Sequence, residues 1–448
     1  MAHLLLGQSK PAAGGIGFTA RNTDEPLARP ILDSTDRPLL TIAPTGAGKG
    51  VSALIPAALT WPGSLVVVDV KGELLAVTAG ARRAMGQRVA ALLPFGLPWP
   101  LPEGVERAGL NPLDMIDPDS ADASSQAQAM ATAMVPQASL REDSFWNGRA
   151  ASILAGLALW LRRYAPTEEQ TLRRLRSLIC RSSSDIREIV SSMKVADEQE
   201  QDRDLPCQVI GDTAITIEQL AEADKTYACV MQTADCGLAP LATAALQPSL
   251  ITTPGLLEAL VAGEPVTLYL VMPPNRLASH AALPRLWLSL IMQRLTERRA
   301  RPPVPTLLLV DEAAQIGRVE ALLTAYSLMR GYGLKPWMFF QSDAQMHSSY
   351  GRDATVLMEN AGILQIFGAM TPALAQAISR ATGAGIDPWA LGPEDQVLCI
   401  AGQRPQIAMR LDYRRCPDLR ARAAPNPFFE PQAQAKSTLK EAAHDQAV

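Results

Sequence analysis

A lysine within a glycine-rich turn is the clearest chemical feature of the sequence. Residues 43–50 read Ala-Pro-Thr-Gly-Ala-Gly-Lys-Gly, between the mostly apolar segments 39–42 and 51–55. This pattern predicts a strand, a tight turn and the start of a helix. Backbone N–H groups converge on an anion at such a turn, where Lys49 can reach the terminal phosphates of a nucleotide. The candidate phosphate-binding residues are Thr45, Gly46, Ala47, Gly48, Lys49 and Gly50.

The turn departs from the phosphate-loop pattern G-x-x-x-x-G-K-[ST] at two positions. Ala43 replaces the first glycine, and Gly50 replaces the serine or threonine. Gly50 leaves Mg²⁺ without its usual hydroxyl ligand. For the loop taken by itself, a glycine-rich turn with a surface lysine is the alternative interpretation.

Two carboxylates at the end of a second apolar run, 307–310, complete the pattern. Such a run is typical of a strand buried in a parallel sheet, and ligands bind at the carboxyl ends of these strands. Asp311 is therefore the candidate magnesium ligand, directly or through water, and Glu312 the candidate general base for an attacking water. A strand end that enters a polar loop would also explain the couplet. The two motifs together favour a P-loop ATPase that uses ATP and Mg²⁺.

Asp69, Lys71 and Glu73 follow a third apolar run at 65–68. They are expected near the phosphate loop, where Asp69 could support the metal ligands or couple subunits. A salt-bridge network at the strand end is the alternative for this group.

Composition limits the class of protein. The chain has 448 residues with 48% hydrophobic and 19% charged residues, which is typical of a globular protein with two or three domains. The net charge of −4 excludes a uniformly basic nucleic-acid-binding surface. The six cysteines show no C-x-x-C spacing, so no zinc site is expected. The most apolar helical stretch, 150–161, is too short to span a bilayer, and we expect a cytoplasmic protein.

The pattern of apolar residues predicts the domain organisation. Residues 38–115 and 251–424 alternate buried-type strands with helices, so the fold class is α/β, with one nucleotide-binding sheet. Residues 116–250 lack strand-like runs and are predicted to form an all-α insertion. An N-terminal arm, 1–37, and a Pro-, Ala- and Gln-rich tail, 425–448, complete the chain, and the tail is expected to be disordered.

The chain resembles the type IV secretion coupling proteins, the TraG/TraD-like ATPases of conjugative DNA transfer, over about residues 38–430. The motifs that carry the resemblance are A-P-T-G-A-G-K-G-V at 43–51 with Ile55-Pro56, W-P-G-S at 61–64, V-V-D-V-K-G-E at 67–73, Asn111-Pro112-Leu113, Phe145-Trp146, L-L-L-V-D-E-A at 307–313, R-G-Y-G-L at 330–334, Gln341-Ser342, and D-Y-R-R-C-P-D-L-R at 412–420 with Pro425-Asn426-Pro427-Phe428. Many members of the family carry glycine at the position of Gly50.

The resemblance implies a RecA-like motor with an all-α domain, arranged as a hexamer around a channel. Such a motor hydrolyses ATP, is stimulated by DNA, and delivers relaxase–DNA complexes or effector proteins to secretion-channel subunits at the membrane. By position, Gln341 would sense the γ-phosphate and Arg330 would reach the nucleotide of a neighbouring subunit. A strand-end amide and a helix-terminal surface arginine are the alternatives for these two residues.

Most members of this family carry N-terminal transmembrane helices, whereas this sequence starts almost directly at the motor. We therefore expect a cytoplasmic protein that docks at the inner membrane through a partner. The sequence is also compatible with two other functions. One is a substrate-recruiting adaptor with a weak or silent nucleotide site, and the other is a DNA translocase or helicase of the FtsK kind.

Overall fold

The protein is represented by a computed structural model that describes residues 3–10, 29–135, 141–201, 208–368 and 371–429. The chain divides into two compact units. The first comprises Met1–Arg107, Gly255–Pro274 and Leu295–Val448, and the second comprises Ala108–Pro254 and Asn275–Arg294.

A sheet of 12 strands organises the described part of the first unit, in the order β2-β1-β12-β11-β10-β3-β9-β8-β4-β7-β5-β6. The strands are β1 (Leu4–Ser9), β2 (Pro30–Asp33), β3 (Leu39–Ile42), β4 (Leu65–Asp69), β5 (Arg88–Leu92), β6 (Glu106–Ala108), β7 (Val266–Val271), β8 (Thr306–Val310), β9 (Leu334–Phe340), β10 (Ile363–Phe367), β11 (Asp395–Ile400) and β12 (Gln406–Met409).

The strands from β10 to β5 in this order are parallel to their neighbours. Every residue of β3, β4, β8 and β9 is buried, as expected for strands covered on both faces. The carboxyl ends of these four neighbours lie at one edge of the sheet, so the segments that follow them come together there.

The helices of the first unit cover the sheet and connect its strands. A π-helical turn (Gly50–Leu54) leads into α1 (Ile55–Thr60), followed by α2 (Glu73–Ala84), α9 (Leu256–Ala262), α12 (Ala313–Ile316), α13 (Glu320–Ser327), α14 (Asp343–Tyr350), α15 (Ala354–Asn360), α16 (Pro372–Thr382) and α17 (Pro417–Arg422). Leu54, Leu59 and Leu75 are fully or almost fully buried in the core against the sheet.

A buried arginine of α2 donates hydrogen bonds to backbone carbonyl groups that follow α1. The fully buried Arg82 donates hydrogen bonds to the carbonyl oxygens of Trp61 and Gly63, and to the hydroxyl of Thr267 on β7 at 2.9 Å. These acceptors replace water around a guanidinium that would otherwise be costly to bury. Burial lowers the pKa of Arg82 to about 10, so the side chain stays charged near neutral pH.

The second unit is helical in its described residues. Its helices are α3 (Ala123–Met134), α4 (Arg141–Tyr164), α5 (Leu172–Ile179), α6 (Ile186–Gln201), α7 (Val209–Ala221), α8 (Asp224–Leu238), α10 (Pro274–His280) and α11 (Ala282–Thr296), with Pro274 and the last residues of α11 in the first unit. Gly156 lets α4 approach α7 closely, because a Cβ at this position would lie 2.0 Å from the hydroxyl of Thr213.

The α/β class with a helical segment is confirmed, and the structure differs from the sequence prediction in detail. The predicted arm contributes β1 and β2 to the sheet, whereas 11–28 lie outside the described residues. Strands β6 and β12 were not predicted. The segment 275–294 groups with the helical unit.

The expected disordered tail does not begin at residue 425. Asn426 is 3% exposed and donates a hydrogen bond to Glu73 at 2.6 Å, and Phe428 contacts the ring of Trp99 edge-on. Residues 430–448 lie outside the described part. Across the residues that are described, no helix combines the length and apolar character needed to cross a membrane.

Candidate active site

The glycine-rich turn folds as a loop between β3 and the π-helical turn. Gly46 and Gly48 have φ angles of 79° and 81°, a region that L-residues with a Cβ rarely adopt. The Ala47 N–H donates to the Pro44 carbonyl oxygen at 2.9 Å, and the Ser52 N–H donates to that of Gly48. Two left-handed glycines thus bend the backbone sharply before Lys49, as expected for a phosphate-binding loop.

The acidic couplet follows β8 at the same edge of the sheet. The Lys49 ammonium lies 3.1 Å from Asp311 Oδ1 and forms a short contact with Glu312 Oε1. The loop lysine and the two carboxylates are therefore in one site, as the sequence predicts.

Glu312 has a strained backbone. Its φ of 51° and ψ of 49° make it the one non-glycine residue with positive φ among the described residues. Such a conformation costs about 1–3 kcal/mol and persists only where the surroundings impose it. With this backbone the carboxylate contacts Lys49, and this conformation could not be read from the sequence.

Gln341, directly after β9, holds the second oxygen of that carboxylate. Its Nε2 donates to Glu312 Oε2 at 2.8 Å. Its amide oxygen accepts hydrogen bonds from Thr45 Oγ1 at 3.1 Å and from Gln345 Nε2 at 3.4 Å. These two donors fix the amide so that its NH₂ group faces Glu312. The resulting chain Thr45–Gln341–Glu312–Lys49 connects the loop with two strand ends.

Asp311 is the more buried of the two carboxylates, with a relative exposure of 9%. Burial raises its pKa, with Glu312 adding to the effect, while the charges of Lys49 and Lys71 oppose it. The Oδ1 atom of Asp311 is buried without a geometrically good hydrogen bond, its contact being the ion pair with Lys49. A buried carboxylate oxygen in this state can accept a cation.

Asp69, at the end of β4, supports the neighbouring helix. Its Oδ1 accepts the backbone N–H groups of Lys71 and Gly72, and its Oδ2 accepts that of Leu75 at 2.9 Å. Burial raises its pKa to about 7, the charge of Asp311 acts in the same direction, and the three N–H groups oppose the shift. Asp69 thus lies close enough to the site to sense Asp311, while its own oxygens bind the start of α2.

Lys71 and Glu73 take different positions. Lys71 is exposed, and its charge acts on Asp311. Glu73 accepts the hydrogen bond from Asn426 at 2.6 Å. The structure therefore provides a structural partner for Glu73, and cofactor binding by these two residues stays a prediction.

The donor set fits Mg²⁺ that enters together with a nucleotide. Asp311 and Glu312 supply hard oxygen atoms, which Mg²⁺ prefers. A Cβ built on Gly50 meets no atom within 4 Å, so the place of the missing hydroxyl is open to water. No cluster of three or more metal-binding side chains occurs within the described ranges.

Arg410 was not recognised from the sequence. It follows β12, and its guanidinium lies 5.3 Å from the ring centroid of Phe367. A Cβ on Gly48 would lie 3.2 Å from its Nη1, so Arg410 touches the glycine-rich loop. Nη2 donates to the Pro393 carbonyl oxygen, whereas Nε is buried without a partner in the described part of the chain. An arginine that follows a four-residue strand gives no sequence signal of such proximity.

Arg330 lies at the opposite edge of the sheet. It precedes β9, whereas Gln341 follows this strand, and the seven residues of β9 span about 20 Å. Arg330 therefore does not join the cluster around Lys49 of its own chain. The structure brings together Thr45, Lys49, Asp311, Glu312 and Gln341.

The fold and the site define an α/β protein with a RecA-like sheet, a turn of the phosphate-loop type and an all-α unit. Residues 21–385 match the protein family described as Type IV secretory system conjugative DNA transfer. Since this match covers most of the sequence, the chain belongs to that family of conjugative coupling proteins.

Curated relatives agree with this assignment. The conjugal transfer protein TraG of Escherichia coli is 25% identical over 399 residues, which are 85% of this chain and 60% of TraG. The protein VirD4 of Agrobacterium fabrum (strain C58 / ATCC 33970) is 26% identical over 319 residues, which are 69% of this chain and 44% of VirD4. The chain thus spans about half of the length of such relatives.

The same fold occurs in solved structures of the bacterial conjugative coupling protein TrwB. The unbound monoclinic form superposes with a TM-score of 0.65 at 18% identity and covers 86% of both chains. TrwB in complex with ADP and Mg²⁺ gives a TM-score of 0.64 at 18% identity, covering 84% of this chain and 85% of TrwB.

Proposed function

We propose that this protein is a magnesium-dependent ATPase that acts as the motor of a conjugative coupling complex. The observation that carries the proposal is the joint contact of Lys49 with Asp311 and Glu312, residues from two distant parts of the sequence. TrwB structures containing ADP and Mg²⁺, or a non-hydrolysable ATP analogue, support this choice of ligands.

Nucleotide binding would exchange the partners of Lys49. In the structure its ammonium is neutralised by two carboxylates; with a triphosphate in the loop it would bind the β- and γ-phosphates, while the N–H groups of residues 46–50 surround the β-phosphate. Mg²⁺ would be held by Asp311, the phosphates and water, and it would neutralise charge on the transferred phosphoryl group. Arg410, beside Gly48, would add a further positive charge at the phosphates.

The same exchange would prepare Glu312 for catalysis. When Lys49 moves to the phosphates, Glu312 Oε1 becomes free to accept a hydrogen bond from the attacking water. Oε2 stays bound to Gln341 Nε2, so the carboxylate keeps its orientation. Glu312 would then act as general base, and Gln341, in contact with both Glu312 and Thr45 of the loop, would sense whether the γ-phosphate is present.

The proposed partners follow from the family. We propose a homo-oligomer, of the hexameric kind, that recruits DNA with its relaxase, or an effector protein, and hands it to secretion-channel subunits at the membrane. DNA would stimulate turnover. Arg330 agrees with an oligomer, because it lies a strand length away from its own site and is 58% exposed. We place the protein in the cytoplasm, attached to the inner membrane through a partner.

ATP turnover by the purified protein, with and without single- and double-stranded DNA, tests this function. We expect hydrolysis that requires Mg²⁺ and rises with DNA. Lys49→Ala should abolish it, whereas Lys194→Ala, which removes an exposed lysine paired with Glu218 in the helical unit, should leave turnover unchanged. Turnover that persists in Lys49→Ala would contradict the proposal.

An adaptor with a silent nucleotide site is the second candidate. The observation that favours it is Gly50, which offers no hydroxyl to Mg²⁺. Such a protein would bind its substrate protein with unchanged affinity in Lys49→Ala and would show no turnover even with DNA.

A further inference from the structure

Asp36 lies at the amino edge of the sheet, in the segment between β2 and β3, and binds two arginines. Its Oδ1 is 2.5 Å from Nε of Arg330, and its Oδ2 is 2.5 Å from Nη2 of Arg301. The Asp36 carboxylate is 16% exposed, whereas the Arg330 side chain is 58% exposed. Asp36, Arg301 and Arg330 line one surface cavity of about 430 Å³. The largely buried carboxylate of Asp36 thus holds the exposed guanidinium of Arg330.

The geometry of the pair decides which part of Arg330 is presented to solvent. Asp36 pairs with Nε, and no other ion pair or side-chain hydrogen bond of Arg330 occurs among the described residues. The two Nη groups, which form the fork that binds phosphate oxygens in a bidentate manner, have no side-chain partner among the described residues and are left to bind another group. An arginine free on all sides would lose more rotamer entropy on binding a phosphate than one held at Nε.

Arg301 keeps Asp36 in place and ionised. Partial burial acts to raise the pKa of Asp36, but the hydrogen bonds and charges of Arg301 and Arg330 hold it below its usual value. The carboxylate therefore carries a full negative charge at neutral pH. With one oxygen for each arginine, Asp36 remains fixed by Arg301 when Arg330 reaches outward.

We infer that Asp36 is a positioning residue that orients Arg330 toward the nucleotide of a neighbouring subunit. The inference rests on the proposed function, in which Arg330 acts in trans. Neither the sequence motifs nor the family comparison points to Asp36. Its loop leads directly into β3 and from there to the glycine-rich turn, so an effect on the chain's own site must be separated from an effect on the neighbour.

Asp36→Asn keeps the size of the side chain and removes its charge. We expect the variant to lower kcat about 10- to 100-fold, the range expected when a catalytic group is misplaced by about 1 Å. KM and the affinity for a fluorescent ATP analogue should stay within about twofold, because an arginine that reaches a neighbour's nucleotide neutralises charge that develops in the transition state. Asp353→Asn is the matched control, since Asp353 also pairs with an arginine, Arg318, at 2.7 Å on the surface.

A mixed-subunit assay gives the decisive result. Lys49→Ala subunits retain Arg330 but lack their own site, and Arg330→Ala subunits retain the site, so mixing the two should restore part of the turnover. Adding Asp36→Asn to the Lys49→Ala subunit should abolish this complementation, whereas adding it to the Arg330→Ala subunit should leave it unchanged.

The outcomes separate the inference from the function on which it rests. If the first mixture shows no complementation while the wild type hydrolyses ATP, the trans role of Arg330 is refuted. If complementation occurs and Asp36→Asn has no effect in the Lys49→Ala subunit, Asp36 does not position Arg330. A loss only in the Arg330→Ala subunit would show that Asp36 acts through β3 on its own site, which also overturns the inference.

Discussion

Alanine substitutions at three glycines of one loop should have three different effects on stability. Gly46 and Gly48 have positive φ angles, where a Cβ costs about 1 kcal/mol or more. Gly50 lies in the π-helical turn, is not among the residues with positive φ, and a Cβ there meets nothing within 4 Å. Alanine at such a position stabilises by about 0.4–1 kcal/mol, because it restricts the unfolded chain.

Contacts separate the two left-handed glycines. A Cβ on Gly46 meets nothing within 4 Å, whereas a Cβ on Gly48 lies 3.2 Å from Arg410 Nη1 and 3.3 Å from Val51 Cγ2. Gly46→Ala should therefore lower the free energy of unfolding by about 1 kcal/mol, and Gly48→Ala by about 2 kcal/mol, since it adds a displaced arginine to the strain.

Urea unfolding of the three variants, followed by tryptophan fluorescence, measures these differences. Titration with a fluorescent ATP analogue should rank the variants differently, by their affinity for the nucleotide. Gly46→Ala should bind more weakly than Gly50→Ala, because it strains the turn whose N–H groups face the phosphates, whereas Gly50 is not among the residues with positive φ. Equal destabilisation by all three substitutions would refute this account of the loop.

Three further predictions concern other residues. Arg410→Gln should weaken ATP binding about tenfold or more, because a charge-assisted hydrogen bond contributes about 1.5–3 kcal/mol. Calorimetry measures this affinity, with the exposed Arg404→Gln as the control. Normal affinity in Arg410→Gln would show that Arg410 does not face the phosphates. Gly50→Ser should lower the Mg²⁺ concentration for half-maximal turnover, since its hydroxyl fits the open space; an unchanged Mg²⁺ titration would argue against this placement of the ion. Arg176 and Asp235 form a bidentate pair. Its hydrogen bonds lower the pKa of Asp235 in the folded protein. The stabilisation by this pair is therefore present above the unfolded pKa of about 3.9 and is lost as the pH falls through the lower folded pKa. Asp235→Asn should therefore be less stable than the wild type by up to about 1 kcal/mol at pH 7, and the difference should vanish in acid; a difference that persists there would exclude the ion pair as its source.

The central sheet could be predicted because its strands are buried on both faces. Runs such as 65–68 and 307–310 are continuously apolar and are followed directly by Asp69 and Asp311, so both the strand and its functional end are visible in the sequence. The short antiparallel strand β12, which pairs with β1 and β11, lacks this signal. It has a mixture of half-buried and buried residues, and the sequence predicts neither this strand nor Arg410, which follows it.

The candidate site was also predictable from the sequence only in part. Glycines and a lysine in one turn, and two carboxylates after a strand, identify the chemistry, because few other functions require them together. Their contacts depend on strand order, which places β9 between β3 and β8 and brings Gln341 to Glu312. The left-handed backbone of Glu312 and the pairing of Arg330 with Asp36 arise from tertiary structure, and no local pattern encodes them.

Single-turnover hydrolysis by Glu312→Gln measures whether this carboxylate is the general base beside Lys49. The amide keeps the size of the side chain but cannot accept a proton from water, so the variant should bind ATP and Mg²⁺ with near-wild-type affinity. It should hydrolyse ATP at least about 100-fold more slowly, the usual contribution of a general base. Wild-type hydrolysis in Glu312→Gln, or loss of ATP binding together with hydrolysis, would contradict the assignment of this carboxylate as the base beside Lys49.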